Sequence, residues 1–365
     1  MDFTTNKSAL LSALGTLSKI TPTRTTLPVL SSVLIETKDT KTITLRSTDL
    51  ELEMIFIIEA SVLEEGQVCA PIYKLLEITQ NILEEEVSIH VNETNRMRIK
   101  NNTGKYILSC KGTEEFPEKR EDNALTDLPT EFLNDTINNT IYSCSKDELK
   151  PQLNGVLLNF ASSSVTAVAT DGHRLVKFIY QQNNPTQTTV IVPQKFLNII
   201  AGGTINTKKA ELKVSENYIT ITTTNQILST RLISDKFPDY ENVIPKEHTN
   251  NSSVSKQTLQ GAVKRVSLMS NKTTKQVILN ITANKIIVSA EDNETGGSAT
   301  EEIETEHTGK DLIIGFNSTL LLEILKHQKT EDIEILTSEP LSAALIKQKE
   351  EKNTETTTLL MPIRI

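Results

Sequence analysis

The strongest constraint on the fold is an internal repeat with a period of about 120 residues, far longer than the roughly 20–50 residues of a solenoid repeat. Three times along the chain a short apolar strand pattern leads directly into a helical pattern, at residues 68–76, 190–197 and 312–321. Each copy closes on an aromatic residue or methionine followed by proline, at Phe116-Pro117, Phe237-Pro238 and Met361-Pro362. The sequence therefore predicts three copies of one domain, which span residues 1–121, 122–245 and 246–365.

Each copy is predicted to contain two helices and about eight strands, which makes the fold class α+β. A helix is indicated where apolar residues recur every three or four positions, as Leu10, Leu14 and Leu17 do. Alternating or continuous apolar runs between the helices predict the strands. The six predicted helices span residues 6–20, 71–83, 130–145, 193–203, 255–272 and 317–329.

The overall charge excludes a protein that is basic over its whole surface. The chain has 365 residues and a net charge of −9, so nucleic-acid binding requires that the basic residues be segregated. There is no tryptophan, and aromatic residues make up 4% of the chain, which argues against a base-stacking platform for single strands. The distribution of charge along the chain thus matters more than its total.

The predicted helices are basic although the chain is acidic. They carry ten basic and four acidic residues, a net charge of +6, which leaves −15 for the remainder. Solvent-exposed helix faces often carry lysine, but glutamate is an equally good helix former and is scarce here. This bias predicts that the helices share a surface that faces a polyanion.

No signature of catalysis, of a metal or of a cofactor is found in the sequence. The five histidines show no HxxxH or HxH spacing, and there is no phosphate-binding GxxxxGK[ST] loop and no GxSxG motif. Asp171 and His173 are close to each other, but a triad also needs a nucleophile within hydrogen-bond reach of the base. We therefore expect a non-catalytic protein with no cofactor and no bound metal.

The cysteines and the hydropathy predict a cytoplasmic location. Cys69, Cys110 and Cys144 are scattered without a CxxC pair, as is usual in a reducing compartment. The first residues lack the basic and apolar regions of a signal peptide. No apolar run approaches the roughly 18 residues that a membrane span needs, so no membrane partner is expected.

A tight turn near the middle of the chain carries the most distinctive residues. Asp171-Gly172 follows the strand-like run 165–168 and presents His173 and Arg174 just beyond the strand end. The turn has two interpretations from its local pattern. It is either a hairpin turn with two solvated side chains or one wall of a binding site.

The surrounding motifs resemble the bacterial sliding clamp family, the beta subunit of DNA polymerase III. The resemblance covers nearly the full length, and its most specific motifs are the string from Ala169 to Leu175 and the Met-Pro-x-Arg ending at 361–364. Further matching segments are Leu27-Pro28-Val29-Leu30, Ser47-Thr48-Asp49-Leu50-Glu51, Leu153-Asn154-Gly155, Val190-Ile191-Val192-Pro193, Phe237-Pro238-Asp239-Tyr240 and Gly315-Phe316-Asn317.

The resemblance implies a head-to-tail homodimer, a ring of six domains with helices inside and sheets outside, which encircles double-stranded DNA without reading its sequence. Such a ring holds DNA by topology, because phosphate contacts carry no sequence information and tight contacts would oppose sliding. By resemblance, Arg24, Lys150 and Lys195 contact DNA. The charge pattern alone adds Lys256, Lys264 and Arg265.

The resemblance also implies a pocket for short peptides from the polymerase III catalytic subunit, the clamp loader, and other polymerases and repair proteins. Apolar walls with a few polar groups suit such peptides. Asn242 and Leu320 depart from the family pattern, where arginine and tyrosine are frequent, so the preference for partners is expected to differ. The predicted pocket residues are Leu153, Thr170, Gly172, His173, Arg174, Leu175, Pro238, Val243, Asn317, Leu341, Leu359, Leu360, Met361 and Pro362.

The dimer interface is expected where the edge strand that contains Tyr106 and Leu108 meets Leu268 and Met269 of the second chain, because an unpaired apolar edge strand would aggregate.

The alternative function is a peptide-binding scaffold that never encircles DNA. Such a scaffold would need the pocket but not the basic bias of the helices.

Overall fold

The computed structural model describes residues 1–101, 104–119, 126–203, 205–207, 210–348 and 353–365. The chain forms two compact units, Met1–Glu131 with Lys195–Leu232, and Phe132–Gln194 with Ile233–Ile365. This division cuts through the predicted middle domain. The predicted boundary at 121/122 lies outside the described residues, and all three domain spans remain predictions.

The described part of the chain contains six α-helices, all shorter than predicted. Residues 141–143 and 267–269 continue α3 and α5 as single 3₁₀ turns, and Pro71 caps α2 instead of lying inside it. The helices are α1 (Lys7–Leu17), α2 (Ile72–Asn81), α3 (Phe132–Thr140), α4 (Gln194–Ala201), α5 (Lys256–Val266) and α6 (Ser318–His327).

Short polar side chains fix where three of these helices begin. The Asn6 carboxamide oxygen accepts hydrogen bonds from the amides of Ser8 at 2.8 Å and Ala9 at 3.2 Å, which satisfies two otherwise unpaired donors at the start of α1. Asn317 caps α6 in the same way, and Ser255 caps α5 through the amide of Thr258. These caps fix Lys7, Ser318 and Lys256 as the first residues of the three helices.

The strands follow the repeat. Those of the first copy are β1 (Asp2–Asn6), β2 (Ser32–Thr37), β3 (Thr42–Thr48), β4 (Leu52–Glu64), β5 (Gly66–Pro71), β6 (Glu86–Val91), β7 (Arg96–Lys100) and β8 (Lys105–Ser109). The next are β9 (Thr126–Leu128), β10 (Gly155–Phe160), β11 (Ser164–Thr170), β12 (Arg174–Gln181), β13 (Thr188–Pro193), β14 (Glu211–Val214), β15 (Tyr218–Thr222) and β16 (Gln226–Arg231). The last are β17 (Asn250–Ser255), β18 (Gln276–Ile281), β19 (Lys285–Asp292), β20 (Gly297–Glu304), β21 (Glu306–Thr308), β22 (Leu312–Asn317), β23 (Asp332–Thr337), β24 (Ala344–Gln348) and β25 (Thr354–Leu360).

Strand pairing explains why the middle copy is divided between the two units. In the first unit β16 pairs with β4, so β9 and β14–β16 extend the sheet of the first copy. In the second unit β12 pairs with β25, which joins β10–β13 to β23–β24 and β17 of the last copy. Strands β18, β19, β20 and β22 form a separate four-stranded sheet in the second unit. The α+β prediction is confirmed.

The tight turn predicted in the middle copy also exists in the first copy, with the same hydrogen bonds. The Thr170 hydroxyl donates to the Arg174 carbonyl at 2.6 Å, and the Asp171 carboxylate accepts from the amides of His173 and Arg174 at 2.8 and 3.0 Å. Thr48 donates to the Leu52 carbonyl at 2.7 Å, and Asp49 accepts from the amides of residues 51 and 52 at 3.0 and 2.7 Å. The two copies thus preserve one local structure.

The third residue of this turn needs a positive φ. Gly172 has φ +88°, and Leu50, its counterpart in the first copy, has φ +78° with a side chain that is 48% exposed. Glycine adopts this region without steric cost, whereas a side chain is strained there. The first copy therefore tolerates strain that the middle copy avoids.

The effect of this backbone constraint can be measured with alanine substitutions. A Cβ added at Gly172 meets nothing within 4 Å, so Gly172→Ala should destabilise the chain, by about 1 kcal/mol, through the positive φ alone. Gly15 in α1 is equally free of contacts but has helical geometry, so Gly15→Ala should raise the melting temperature. Equal effects of the two substitutions on thermal unfolding would contradict the constraint.

Candidate functional site

Around the turn at 170–174, the structure separates exposed from buried side chains. Gly172 and His173 are exposed, whereas the side chains of Arg174 and Leu175 are 5% and 2% exposed. The turn therefore does not carry two solvated side chains, as the first of its two interpretations required. It presents His173 and its own backbone to solvent while it inserts the next two side chains into the protein.

The Arg174 guanidinium joins three elements of the second unit. Its Nη1 donates to Glu323 of α6 at 2.8 Å, its Nε lies 3.2 Å from Asp171, and its Nη2 donates to the Tyr142 carbonyl. The guanidinium also lies 5.2 Å from the centroid of the Tyr142 ring, which stacks on His327 at 3.9 Å. Arg174 was predicted to line the pocket, but its side chain points into the protein, where it connects these three elements.

Burial perturbs the ionisation of one group in this cluster. Desolvation raises the pKa of the Tyr142 hydroxyl to about 12, although the charge of Arg174 opposes the shift. The phenol therefore stays neutral near pH 7.

A buried apolar cluster, which we call the floor, lies beside the turn. Of the predicted pocket residues it contains Leu153, Leu175 and Leu359. The other members of the floor were not predicted. Strand pairing brings three of them together, because Leu157 lies opposite both Val168 and Ile191. The complete floor comprises Leu153, Leu157, Val168, Leu175, Ile191, Phe237, Leu345 and Leu359.

The C-terminal residues form one side of the site. Leu359 lies opposite Leu175 in the β12–β25 pair, and the Met361 amide donates to the His173 carbonyl at 2.8 Å. The amide of Ile363 then donates to the Gly315 carbonyl at 2.8 Å. A Cβ on Gly315 would lie 3.0 Å from the Ile363 carbonyl oxygen, so glycine allows the tail to pack closely at this point.

Leu360 and Asn317 were predicted to line the pocket, and the structure gives both another place. Leu360 is fully buried in the core of the last copy, because side chains of β25 alternate between its two faces. The Asn317 side chain caps α6 and also donates to the Thr274 carbonyl at 3.4 Å. Neither side chain belongs to the floor.

Exposed apolar side chains flank the floor. Val243, Leu341 and Met361 are 52%, 60% and 41% exposed, and each is near in sequence to residues that pack on the floor. Pro238 is also exposed, Pro362 is partly exposed, and Thr170 is buried by its turn hydrogen bonds. This arrangement can accept aliphatic or aromatic side chains of a ligand, with the backbone around His173 available for polar contacts.

The two residues that depart from the family pattern have structural partners. Asn242 donates to Asp239 at 2.7 Å on the exposed surface, and Leu320 packs against the core of the last copy. A neutral amide therefore stands at residue 242, where arginine is frequent in the family. No cationic contact to a ligand is available from residue 242.

The first copy contains a cluster that corresponds to the floor but includes a buried ion pair. Leu30, Leu34, Cys69 and Phe116 form a buried cluster that corresponds to Leu153, Leu157, Ile191 and Phe237 of the floor. At the positions of Val168 and Leu175, however, the first copy has Arg46 and Glu53, whose side chains form a buried ion pair at 3.0 Å. Arg46 also lies 5.0 Å from the Phe116 ring centroid. The apolar floor is thus replaced by charged groups that already have partners.

The candidate DNA-binding cations differ in whether they have partners. Arg24, Lys150 and Lys264 are exposed. Lys195 forms an ion pair with Asp49, and Lys256 donates to the Gln328 carbonyl at 2.9 Å. The Arg265 guanidinium binds Glu301 through two hydrogen bonds of 2.8 and 2.7 Å, and this contact raises the pKa of Arg265 and lowers that of Glu301.

The basic bias of the helices is smaller than predicted. Lys19, Lys272 and Lys329 lie beyond the ends of the observed helices, and Glu131 also falls outside them. The observed helices carry seven basic and three acidic residues, a net charge of +4. The sign of the prediction holds although its magnitude does not.

The residues predicted for the dimer interface lie at two sheet edges. β8 is an edge strand of the first unit, where Tyr106 and Ile107 are 39% and 57% exposed but Leu108 is 8% exposed. Leu108 thus packs inward, and Ile107, which lies between Tyr106 and Leu108 in the predicted edge strand, is the outward apolar residue. Leu268 and Met269 are 78% and 45% exposed beside β20, an edge strand of the four-stranded sheet.

The described residues offer no group of three or more His, Cys, Asp or Glu side chains that could hold a metal ion. All three cysteines are free, and burial raises the pKa of Cys69 and Cys144 to about 12 and that of Cys110 to about 11. In the part of the chain that the structure describes, no helix has the length and hydropathy to cross a membrane.

Family models match the chain almost from end to end. The models of the N-terminal, central and C-terminal domains of the DNA polymerase III beta subunit match residues 1–120, 127–239 and 241–364. The chain belongs to the beta sliding clamp family. The predicted resemblance is therefore confirmed, together with an accessory role in DNA polymerase III that is not enzymatic.

Individual members of the beta sliding clamp family agree with this assignment. The beta sliding clamp of Pseudomonas putida is 30% identical over the full length of both chains. The crystal structure of the DNA polymerase III beta subunit from Pseudomonas aeruginosa has a TM-score of 0.93 and 28% identity, again over both full chains. The sliding clamp of Bacillus subtilis, at 21% identity and a TM-score of 0.92, covers 100% of this chain and 99% of that one and shows the same fold.

Proposed function

We propose that the chain is a DNA sliding clamp that encircles double-stranded DNA as a head-to-tail dimer and tethers the replicative polymerase through the site beside the turn at 170–174. The observation that carries the proposal is the combination of the clamp fold over the full length with an apolar floor that has exposed apolar neighbours. A clamp of this kind acts in the cytoplasm and needs no cofactor.

The charge distribution supports DNA as the partner. The helices carry a net charge of +4 in a chain of net charge −9, so the rest of the protein is strongly acidic. A polyanion is attracted to the helices and repelled elsewhere. Arg24, Lys150 and Lys264 are the exposed cations best suited to phosphate contacts.

Encirclement predicts that the shape of the DNA decides how long the clamp stays bound. Once loaded, the clamp should be lost slowly from closed circular DNA and rapidly from linear DNA, because a ring can slide off a free end. Lifetimes measured by gel filtration of each complex test this. Equal lifetimes on the two DNAs would favour the alternative, a peptide-binding scaffold that does not encircle DNA.

Peptide binding is proposed at the surface formed by the floor, Val243, Leu341, Met361 and the His173 turn. A synthetic tail peptide of the polymerase III catalytic subunit would bury its aliphatic and aromatic side chains there. The clamp loader and the other polymerases and repair proteins would use the same surface. Asn242 leaves this surface without the cation that an arginine would supply.

Displacement of the C-terminal tail should weaken peptide binding. Gly315→Val places atoms against the Ile363 carbonyl and should move Met361, which costs about tenfold or more in peptide affinity, as is usual for loss of an interface anchor. The matched control is Ile313→Val on the same strand, where the side chain is 50% exposed and lies outside the floor. Isothermal titration with the tail peptide measures both, and unchanged affinity for Gly315→Val would mean that the site is misplaced.

The dimer is proposed to form between β8 of one chain and the surface of Leu268, Met269 and β20 of a second chain. β8 begins at Lys105, which lies opposite Lys100 of β7, and β20 carries Glu301, Glu302 and Glu304. The two edges thus carry side chains of opposite charge, although Glu301 and Glu302 also pair with Arg265 and Lys285 of their own chain. Pairing would also cover the exposed Ile107. Both edges would then gain backbone hydrogen bonds that neither makes alone.

A change at either edge should produce monomers. Ile107→Asp, or Leu268→Ala together with Met269→Ala, should shift the mass measured by sedimentation to that of one chain, because each change removes apolar area from the centre of the proposed contact. Leu83→Ala provides a control at a residue that is 93% exposed on another part of the first unit. An intact dimer in both interface variants would contradict the proposed contact.

A further inference from the structure

Lys195, which is proposed to contact DNA, already forms an ion pair with Asp49. Lys195 lies in the first turn of α4, and its ammonium group binds the Asp49 carboxylate of the turn between β3 and β4. The Lys195 side chain is 52% exposed, whereas that of Asp49 is 12% exposed. The lysine is therefore accessible to a ligand from the solvent side while it has a fixed anionic partner on the protein side.

The Asp49 carboxylate is held rigidly before it meets the lysine. One oxygen accepts the amides of Glu51 and Leu52 at 3.0 and 2.7 Å, and the other binds Lys195. A carboxylate with two backbone donors loses little further freedom when it binds a cation. Asp49 is thus a preorganised anion beside a flexible lysine.

The turn itself does not require this lysine. Asp171 makes the same two backbone hydrogen bonds in the middle copy, and its second oxygen binds Arg174 of its own turn. The structural contribution of Asp49 to its turn can therefore be separated from its contact with Lys195. An asparagine at residue 49 would keep the carbonyl oxygen for the two amides and lose the negative charge.

We propose that Asp49 restrains DNA binding by competing with phosphate for Lys195, a role that rests on the proposed encirclement of DNA. A lysine that stays paired with a carboxylate neutralises no phosphate, so it releases no counterion from the DNA. The carboxylate also repels the phosphate. The pair therefore lowers the affinity of the clamp for DNA at this point. Weak contact is an advantage for a ring that holds DNA by topology, because each strong phosphate contact opposes sliding.

Asp49 also has a possible structural role, which the test must separate. Lys195 lies at the positive end of the α4 dipole, and a nearby carboxylate offsets that repulsion. A role confined to the helix would lower the melting temperature of Asp49→Asn and leave the salt dependence of DNA binding unchanged. Restraint of Lys195 would alter the salt dependence whatever happens to the melting temperature.

The test measures binding of a short fluorescent DNA duplex by anisotropy as a function of salt, for the wild type, Asp49→Asn, Lys195→Ala and the double variant. Asp49→Asn should bind several-fold tighter at low salt, and the slope of log K against log salt should steepen by about 0.9, the value for one added phosphate contact. The gain should vanish in the double variant, which should match Lys195→Ala. Asp39→Asn is the control, because Asp39 also accepts two backbone amides but pairs with the hydroxyl of Thr42.

Any other result overturns the proposal that Asp49 restrains DNA binding through Lys195. The proposal is wrong if Asp49→Asn binds DNA as the wild type does or more weakly. It is also wrong if the gain in affinity persists without Lys195, or if Asp39→Asn gives the same gain. Failure of the proposed function has a different signature. In that case the wild type has equal lifetimes on circular and linear DNA, and Arg24→Ala and Lys150→Ala leave duplex binding unchanged.

Discussion

The antiparallel pairing of β12 with β25 is the interaction on which the candidate site depends. It brings Leu359 opposite Leu175 on the floor and lets the Met361 amide bond the His173 carbonyl. Without this pairing the floor would lose one side and the turn would lose its neighbour. Arg174 reinforces the same junction from below, since its guanidinium reaches α6 through Glu323 and the end of α3 through Tyr142.

The fold could be predicted from the sequence to the level of elements and repeats, because apolar periodicity and the strand-to-helix anchors are local signals. The site could be predicted only in part. Leu153, Leu175 and Leu359 were predicted for the site and lie together in the floor, whereas Val168 and Leu345 of the floor were not predicted, since the strand pattern does not say which strands pair. Burial places Leu108, Leu360 and Arg174 inside the protein, where Arg174 has three partners.

Comparison of the two copies of the turn shows how a repeat can keep its backbone while the side chains beneath it change. Thr48 and Asp49 make the hydrogen bonds that Thr170 and Asp171 make, so the backbone is preserved. Beneath the turn, Arg46 and Glu53 replace Val168 and Leu175, and a buried ion pair offers no apolar surface to a ligand. The difference resides in two side chains, and it confines the apolar floor to one of these two copies.

The position of β25 in the sequence has a consequence for protein synthesis. The ribosome adds residues 354–365 after every other part of the site, so β10–β13 and the His173 turn leave the ribosome without the strand that completes them. The candidate site is therefore assembled only once these residues have been made, because a chain without β25 lacks the Leu359 side of the floor and the hydrogen bond of the Met361 amide.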